Sequence, residues 1–274
     1  MCSSDLTTLD KGWSVDIWIS NGTRLISPAA LPQTTQRFLD SDSVVQTEFS
    51  IESLSITSDV FFKSFKDNQN LLFQNVSLKN NGEKPIKFSF YFAIRPYNPE
   101  GVSPIDHITY LTANAFIINN QLGLVLDSKP DNVVCLSEKE GDISEHFNDW
   151  EMILKAKCKH HQTSGFAEYK INLKPGETKK LSCKMPTKPI ASLIDVFHSK
   201  LTNVKRKSLF KNIQHIQDYQ FETEKKELKL NWDEHLKDLS SIQLPDEDLT
   251  NLFKKNMTYL MHFIGNHKIG RAHV

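Results

Sequence analysis

The chain has 274 residues with 33 Lys and Arg against 33 Asp and Glu, a formal net charge of zero, which argues against nucleic acid or an anionic membrane surface as a partner. Its hydrophobic content of 39% suits an ordinary globular core, and no run approaches the roughly 18 apolar residues that a membrane-spanning helix needs. Four cysteines are too few for a disulfide framework, and Cys135, Cys158 and Cys183, which fall in segments that read as strand or strand edge, are expected to be reduced, packed thiols.

The two ends read as something other than protein. Ile269-Gly270-Arg271-Ala272-His273-Val274 can be written in codons whose opposite strand, with GTG read as a start, encodes Met1-Cys2-Ser3-Ser4-Asp5 and leads into Leu6. Both match a common sequencing adapter ligated in opposite orientations, so residues 1–6 and 268–274 are set aside from the fold reasoning. Natural protein is then expected from Thr7 to His267, as a fragment of a longer chain. Asn21-Gly22-Thr23, Asn75-Val76-Ser77 and Asn256-Met257-Thr258 fit the N-glycosylation pattern, which matters only in a secretory setting.

From residue 13 to about 185 the pattern is that of strands, short runs rich in β-branched and aromatic residues broken by Asn, Gly, Pro and Asp. Residues 13–19 alternate, and Asn21-Gly22 predicts a type I′ hairpin returning over 23–27. A second pair is expected at 44–56 and 59–65. Residues 71–79 mix apolar and polar side chains on both faces, so both faces are expected to be partly covered. The turn Asn80-Asn81-Gly82-Glu83-Lys84-Pro85 leads into the clearest strand, in which Ile86, Phe88, Phe90, Phe92 and Ile94 alternate with Lys87, Ser89 and Tyr91. Further strands are expected at 108–118, 123–127, 133–136, 151–159, 166–173 and 178–184, with Pro175-Gly176 marking the last hairpin turn.

The character changes after Pro186. Residues 189–201 read as a helix, a basic stretch follows around Lys205-Arg206-Lys207, and 221–239 reads as a charged helix containing Trp232, more typical of a solvated linker than of a binding element. In the last segment Pro245 fits a first helical position, Asp246, Glu247 and Asp248 complement a helix N-terminus, and Gly265-Asn266 offers a stop. Leu249, Leu252, Phe253, Met257, Leu260, Phe263 and Ile264 form one apolar stripe at helical spacing, which has to be buried against something.

Recognisable catalytic signatures are missing: no Gly-rich phosphate loop, nucleophile elbow or His-Glu-x-x-His motif is present, and no cofactor is implied. Cys158, His160 and His161 have metal-ligand chemistry, but two of them sharing one strand face do not make a zinc site, so no metal is expected. The most distinctive stretch is 95–107, where Pro96, Pro99 and Pro104 fix a loop able to hold Arg95, Tyr97, Asn98, Glu100 and Asp106 in a defined array. That loop reads as a rigid connector, as an interdomain contact or as a rim touching substrate. Glu100 and Asp106 carry the chemistry of paired glycosidase carboxylates, with a separation that sequence does not give. Trp13, Trp18, Trp150 and Trp232 are candidate sugar-stacking platforms or, more ordinarily, core and interface residues.

An antiparallel sandwich, a charged helical linker and a helix opening on Leu244-Pro245-Asp246-Glu247-Asp248-Leu249 resemble the front of glucoamylase-like glycosidases whose catalytic domain is a six-hairpin (α/α)6 toroid. The likeness is carried by residues 75–98, including Leu78-Lys79-Asn80-Asn81-Gly82-Glu83-Lys84-Pro85 and Arg95-Pro96-Tyr97-Asn98, and by 232–260. It implies a mainly β fold with a large antiparallel supersandwich at 7–188, a helical linker at 189–243 and the first helix of a truncated toroid at 244–267. In that family the catalytic carboxylates sit in toroid loops and the sandwich supports or rims the site, so no catalytic residue carries over. The implied partners are carbohydrate, met through the missing catalytic domain, and the protein's own C-terminal α/α domain. The rival reading is a non-enzymatic β-sandwich module for binding or adhesion.

Overall fold

The strict alternation at 86–94 sets the architecture, because a strand with one wholly apolar face needs a second sheet to cover it. The computed structural model describes residues 6–7, 12–39, 43–65, 69–98, 101–148, 151–187, 203–237, 245–246, 248–250, 252–253 and 256. Its strands are β1 (Leu6–Thr7), β2 (Ser14–Ser20), β3 (Leu25–Ile26), β4 (Thr35–Leu39), β5 (Val44–Ile51), β6 (Leu54–Ser64), β7 (Asn70–Asn80), β8 (Ile86–Arg95), β9 (Tyr97–Asn98), β10 (Gly101–Val102), β11 (His107–Leu111), β12 (Ala115–Ile118), β13 (Gln121–Leu126), β14 (Asn132–Leu136), β15 (Lys155–Lys157), β16 (Ser164–Leu173) and β17 (Thr178–Pro186). Two helices follow, α1 (Asn203–Asp218) and α2 (Phe221–Lys237). The expected helix at 189–201 and most of the terminal helix lie outside the described residues, as do residues 1–5 and 268–274.

The smaller sheet has the order β1-β2-β8-β16-β14, with β3 hydrogen-bonded to β2. The larger has nine strands in the order β15-β11-β12-β13-β17-β7-β6-β5-β4, while β9 and β10 form a separate ribbon. Every pairing between these strands is antiparallel. The mainly β, antiparallel sandwich expected from sequence is thus the observed fold. Phe88, Phe90, Phe92 and Ile94 of β8 meet Val76 and Leu78 of β7, Phe116 and Ile118 of β12, and Leu181 and Met185 of β17 in the core between the sheets. Cys135 and Cys183 are free thiols in this core, and burial pushes the pKa of each upward.

Two of the crossings between the sheets, β7 to β8 and β16 to β17, are neighbouring corners, and the motif at 78–85 builds the first of them. Buried Asn80 donates through Nδ2 to the Lys84 and Leu173 carbonyls at 2.8 and 3.2 Å, and its Oδ1 accepts from the Gly82 N–H at 2.9 Å. Its backbone also bonds to Glu177 and Gly176 in the turn between β16 and β17. One asparagine therefore ties the β7–β8 corner to the β16–β17 corner. Gly82 is required there, since a Cβ would lie 2.8 Å from that of Ser53.

Local differences from the sequence reading have local causes. Asn21-Gly22 does not form a two-residue type I′ turn: β2 and β3 join through the loop 21–24, in which Asn21 Oδ1 accepts from the backbone of Thr23 and Arg24 and from the Thr23 hydroxyl. Side-chain capture of the following N–H groups widens the turn. Two successive positive φ angles, the mark of type I′, occur instead at Asn119 (47°) and Asn120 (64°) between β12 and β13. The run 108–118 is a hairpin rather than one strand, broken where Asn114 takes a φ of 58°. Asn75, in one of the glycosylation patterns, is buried and accepts from Ser182 Oγ.

The larger departure concerns the helices. The larger sheet is apolar on its outer face as well, where Phe61, Leu71, Phe73, Ala115, Ile117 and Val125 cluster with Leu209, Ile213 and Ile216 of α1 and Phe221 and Leu228 of α2. The spacings 209, 213, 216 and 221, 224, 228 each trace one helix face. These helices are a third layer, and α2, which the sequence at 221–239 suggested to be a solvated linker, buries one face in it. Phe61 stacks on Phe73 at 4.8 Å between ring centres and meets Phe221 at 5.0 Å.

Polar ties fix that layer. Lys63 of β6 pairs with Glu224 and with Glu227, the latter at 2.7 Å, and Lys63 and Glu224 are both buried. Lys184 of β17, also buried, binds Asp127 and the Gln217 carbonyl, and Gln217 Nε2 donates to the Ala113 and Leu126 carbonyls. Burial opposes the Lys63 charge, but the hydrogen bonds and charges of Glu224 and Glu227 outweigh it and raise its pKa above 10.5. With the folded value above the unfolded one, its contribution is complete below pH 10.5 and disappears as pH rises through the folded value. Lys63→Ala should cost about 3–5 kcal/mol in urea unfolding at neutral pH by leaving Glu224 buried and unpaired, whereas Lys63→Met with Glu224→Leu should recover most of that loss.

Candidate functional site

The first chemistry-bearing position after the clearest strand is Arg95, the last residue of β8. Register places Ser14, Asp16 and Trp18 of β2 opposite Arg95, Ala93 and Tyr91 of β8, all on the outer face of the smaller sheet. Arg95 Nη1 donates to Asp16 Oδ2 at 3.1 Å, and the guanidinium lies 5.6 Å from the Trp18 ring and 4.7 Å from that of Tyr97. An arginine held between two aromatic faces and a nearly buried carboxylate has little rotational freedom. Asp16 Oδ1 and Arg95 Nε have no protein partner although both are buried.

Further along the same face Trp18, Tyr91, Ala93, Val134, Leu136, Ile143 and Phe166 form a third apolar cluster, roofed by the segment 138–147. Two short 3-10 turns carry that roof. The first, Glu138–Glu140, is closed by a capping box in which Glu140 accepts from the Ser137 N–H and hydroxyl. These bonds, the hydroxyl one foremost, lower the Glu140 pKa. The second, Ile143–Glu145, is capped by Asp142, which accepts from the Ser144 N–H at 2.8 Å. Burial pushes Asp142 upward, but the Ser144 bonds and the charges of Arg95 and His146 override it and leave the pKa lowered.

Between this roof and the end of β8 lies a cleft of about 160 Å³ lined by Arg95, Pro96, Tyr97, Glu138, Asp142 and Gln162, among others. Of the loop array expected from sequence, Arg95 and Tyr97 line it together. Asn98 and Gly101 pair through the β9–β10 ribbon, and Glu100 lies outside the described residues. Asp106 faces elsewhere: its carboxylate pairs with His161 Nδ1 and its N–H bonds to Asn119 Oδ1 at 2.7 Å. Trp13 and Trp18 are buried and Trp232 of α2 is partly buried against the cluster between helices and sheet, so these three serve packing rather than an open platform; Trp150 lies outside the described residues.

Sequence reasoning missed Glu138, Asp142 and Gln162. Ser137-x-x-Glu140 is a legible capping signal, but nothing local says that the turn it closes will face Arg95. The roof also brings Glu138 to His160 Nδ1 and near the buried Cys158 thiol, adding a third ligand type to the pair noted in the sequence. The cleft carboxylates are thus each tied to a neighbour, Glu138 to His160 and Asp142 to Ser144.

No family model and no curated protein sequence matches the chain. Among solved structures it is similar in fold to a putative kojibiose phosphorylase from the human microbiome, with a TM-score of 0.57 and 9% sequence identity over 94% of this chain and 33% of that one. This chain spans about a third of that protein's length. Among the described residues, no helix is long and apolar enough to cross a membrane.

If Arg95 is the member that holds this face together, Arg95→Ala should destabilise the protein by about 3 kcal/mol through the stranded Asp16 carboxylate, and Asp16→Asn with Arg95→Met should restore part of it. Chemical denaturation of the two variants beside the parent checks this directly.

Proposed function

We propose that this chain is the non-catalytic sandwich part of a carbohydrate-active protein of the six-hairpin glycosidase type, whose reacting groups reside in an α/α toroid outside the sequence described. The observation that carries the reading is the likeness of fold to the putative kojibiose phosphorylase, which takes in nearly all of this chain but only a third of that protein. The locally tied carboxylates of the cleft and the exposed Leu249 and Leu252 add support. On this reading the parent protein cleaves glycosidic bonds by hydrolysis or phosphorolysis, using carboxylates of the toroid. The sandwich positions the toroid, and the loop 95–107, with Arg95, Tyr97, Asn98, Glu100 and Asp106, belongs to the rim or the interdomain contact. The terminal apolar stripe is the face that meets the toroid: Leu249 and Leu252 are exposed and Phe253 is half-buried, while its other members lie outside the described residues. Asp246 opens that segment by accepting from the Asp248 and Leu249 N–H groups.

The test is to sequence the transcript that encodes the chain and to assay the purified chain on α-linked disaccharides with and without phosphate. The reading expects several further amphipathic helix pairs in the same frame and no sugar release by the chain alone. A stop codon directly after the terminal stripe, or turnover by this chain that depends on Glu138 or Asp142, would overturn it. A chain that ends there and binds glycans through Tyr97 would instead be the free-standing binding module.

A further inference from the structure

We infer that Cys158, His160 and Glu138 form a zinc site at the rim of the cleft, independently of the proposed function. Their ligand atoms, one thiol sulfur, one imidazole nitrogen and one carboxylate oxygen, all lie within 4.8 Å of one another. In a tetrahedral zinc centre with Zn–S near 2.3 Å and Zn–N near 2.0 Å the ligand atoms sit roughly 3.3–3.8 Å apart, so the longest separation here has to close by about 1 Å while the touching His160–Glu138 pair opens to admit the ion. The His160 side chain is 71% exposed and already touches Glu138, which leaves it free to swing over that distance.

The three donors come from two segments that are each held in place. Cys158 donates its N–H to the Asp106 carbonyl at 2.8 Å, and the His161 carbonyl accepts from Ile105 N–H at 2.8 Å, pinning 158–161 to the neighbouring strand region. His161 itself takes a φ of 63°, a turn that sends its ring to Asp106 and away from His160. On the other side the capping box uses Glu140 to close the 138–140 turn, so Glu138 is free to face His160. A preorganised donor set of this kind binds without ordering new backbone.

The cysteine distinguishes this group from packing alone. Cys135 and Cys183 sit inside the sandwich core, whereas Cys158 is buried yet belongs to none of the three apolar clusters. A thiolate with an imidazole and one carboxylate selects zinc or cobalt over magnesium and calcium, which favour sets made of oxygen alone. Binding releases the thiol proton and leaves the fourth position to water, on the side where His160 is exposed. The His160–Glu138 contact is then the resting pair that the ion replaces.

Cobalt titration of the reduced full chain reads this out, with zinc as competitor. One equivalent of cobalt should give sulfur-to-cobalt charge-transfer absorption with tetrahedral d–d bands, and zinc should abolish both. Cys158→Ser should remove the charge-transfer band, and His160→Ala and Glu138→Gln should each weaken binding by more than about tenfold, the lower end of what losing even an outer-shell partner costs. His161→Ala should bind as the parent does. His160 is exposed and Glu138 is at the surface of a turn, so those two variants remain informative should Cys158→Ser fail to fold. Absence of thiolate charge transfer, or equal binding by the parent, His160→Ala and Glu138→Gln, would overturn the assignment.

Discussion

A nine-stranded sheet that is apolar on both faces has to be covered twice, and most of this structure follows from that requirement. The smaller sheet covers the inner face through Phe88, Phe90, Phe92 and Ile94. The outer face, with Phe61, Leu71, Phe73, Ile117 and Val125, is covered by α1 and α2. Burial of large side chains contributes roughly 1.5–3 kcal/mol each, so leaving this second face in water would outweigh the few kcal/mol by which such domains are stable. The helices are therefore part of the folded unit, whatever else they connect.

The cover is specified by charge as much as by apolar contact. Lys63 and Lys184 reach from adjacent parts of the outer face to Glu224 and Glu227 on α2 and to Asp127 and the end of α1. Lys225 adds a pair with Asp59 at 2.8 Å. Buried ion pairs add little net stability, but each penalises any docking that leaves its partner unpaired. Two helices with short apolar stripes would otherwise slide on the sheet.

The same balance explains what was legible in the amino-acid sequence. Strand β8 shows its core face as an unbroken apolar alternation, and the mixed pattern of β7 correctly predicts cover on both sides. The stripe of α1 consists of Leu209, Ile213 and Ile216 in a basic, amide-rich helix, and that of α2 includes Glu224, which reads as solvated because its partner Lys63 is distant in sequence. Tertiary pairing overrode the local pattern in both. Asn21-Gly22 shows the reverse case, where a strong local signal was diverted by hydrogen bonds from its own loop. Arg95 and Tyr97 stood out because prolines surround them, while Glu138, Asp142 and Gln162 became visible only when the fold brought the roof and the segment before β16 to the end of β8. Cys158 and His160 needed that same roof to gain Glu138.

The account therefore rests on one cooperative unit made of two sheets and a helical layer. Native-state hydrogen exchange tests it most directly, since segments that open together share one free energy of opening. The amides in the middle of α1 and α2 should exchange with the same opening free energy, and the same denaturant dependence, as those in the middle of β7. Helical amides that exchange through a separate, much cheaper opening while β7 stays protected would contradict the account and return the helices to the status of a linker.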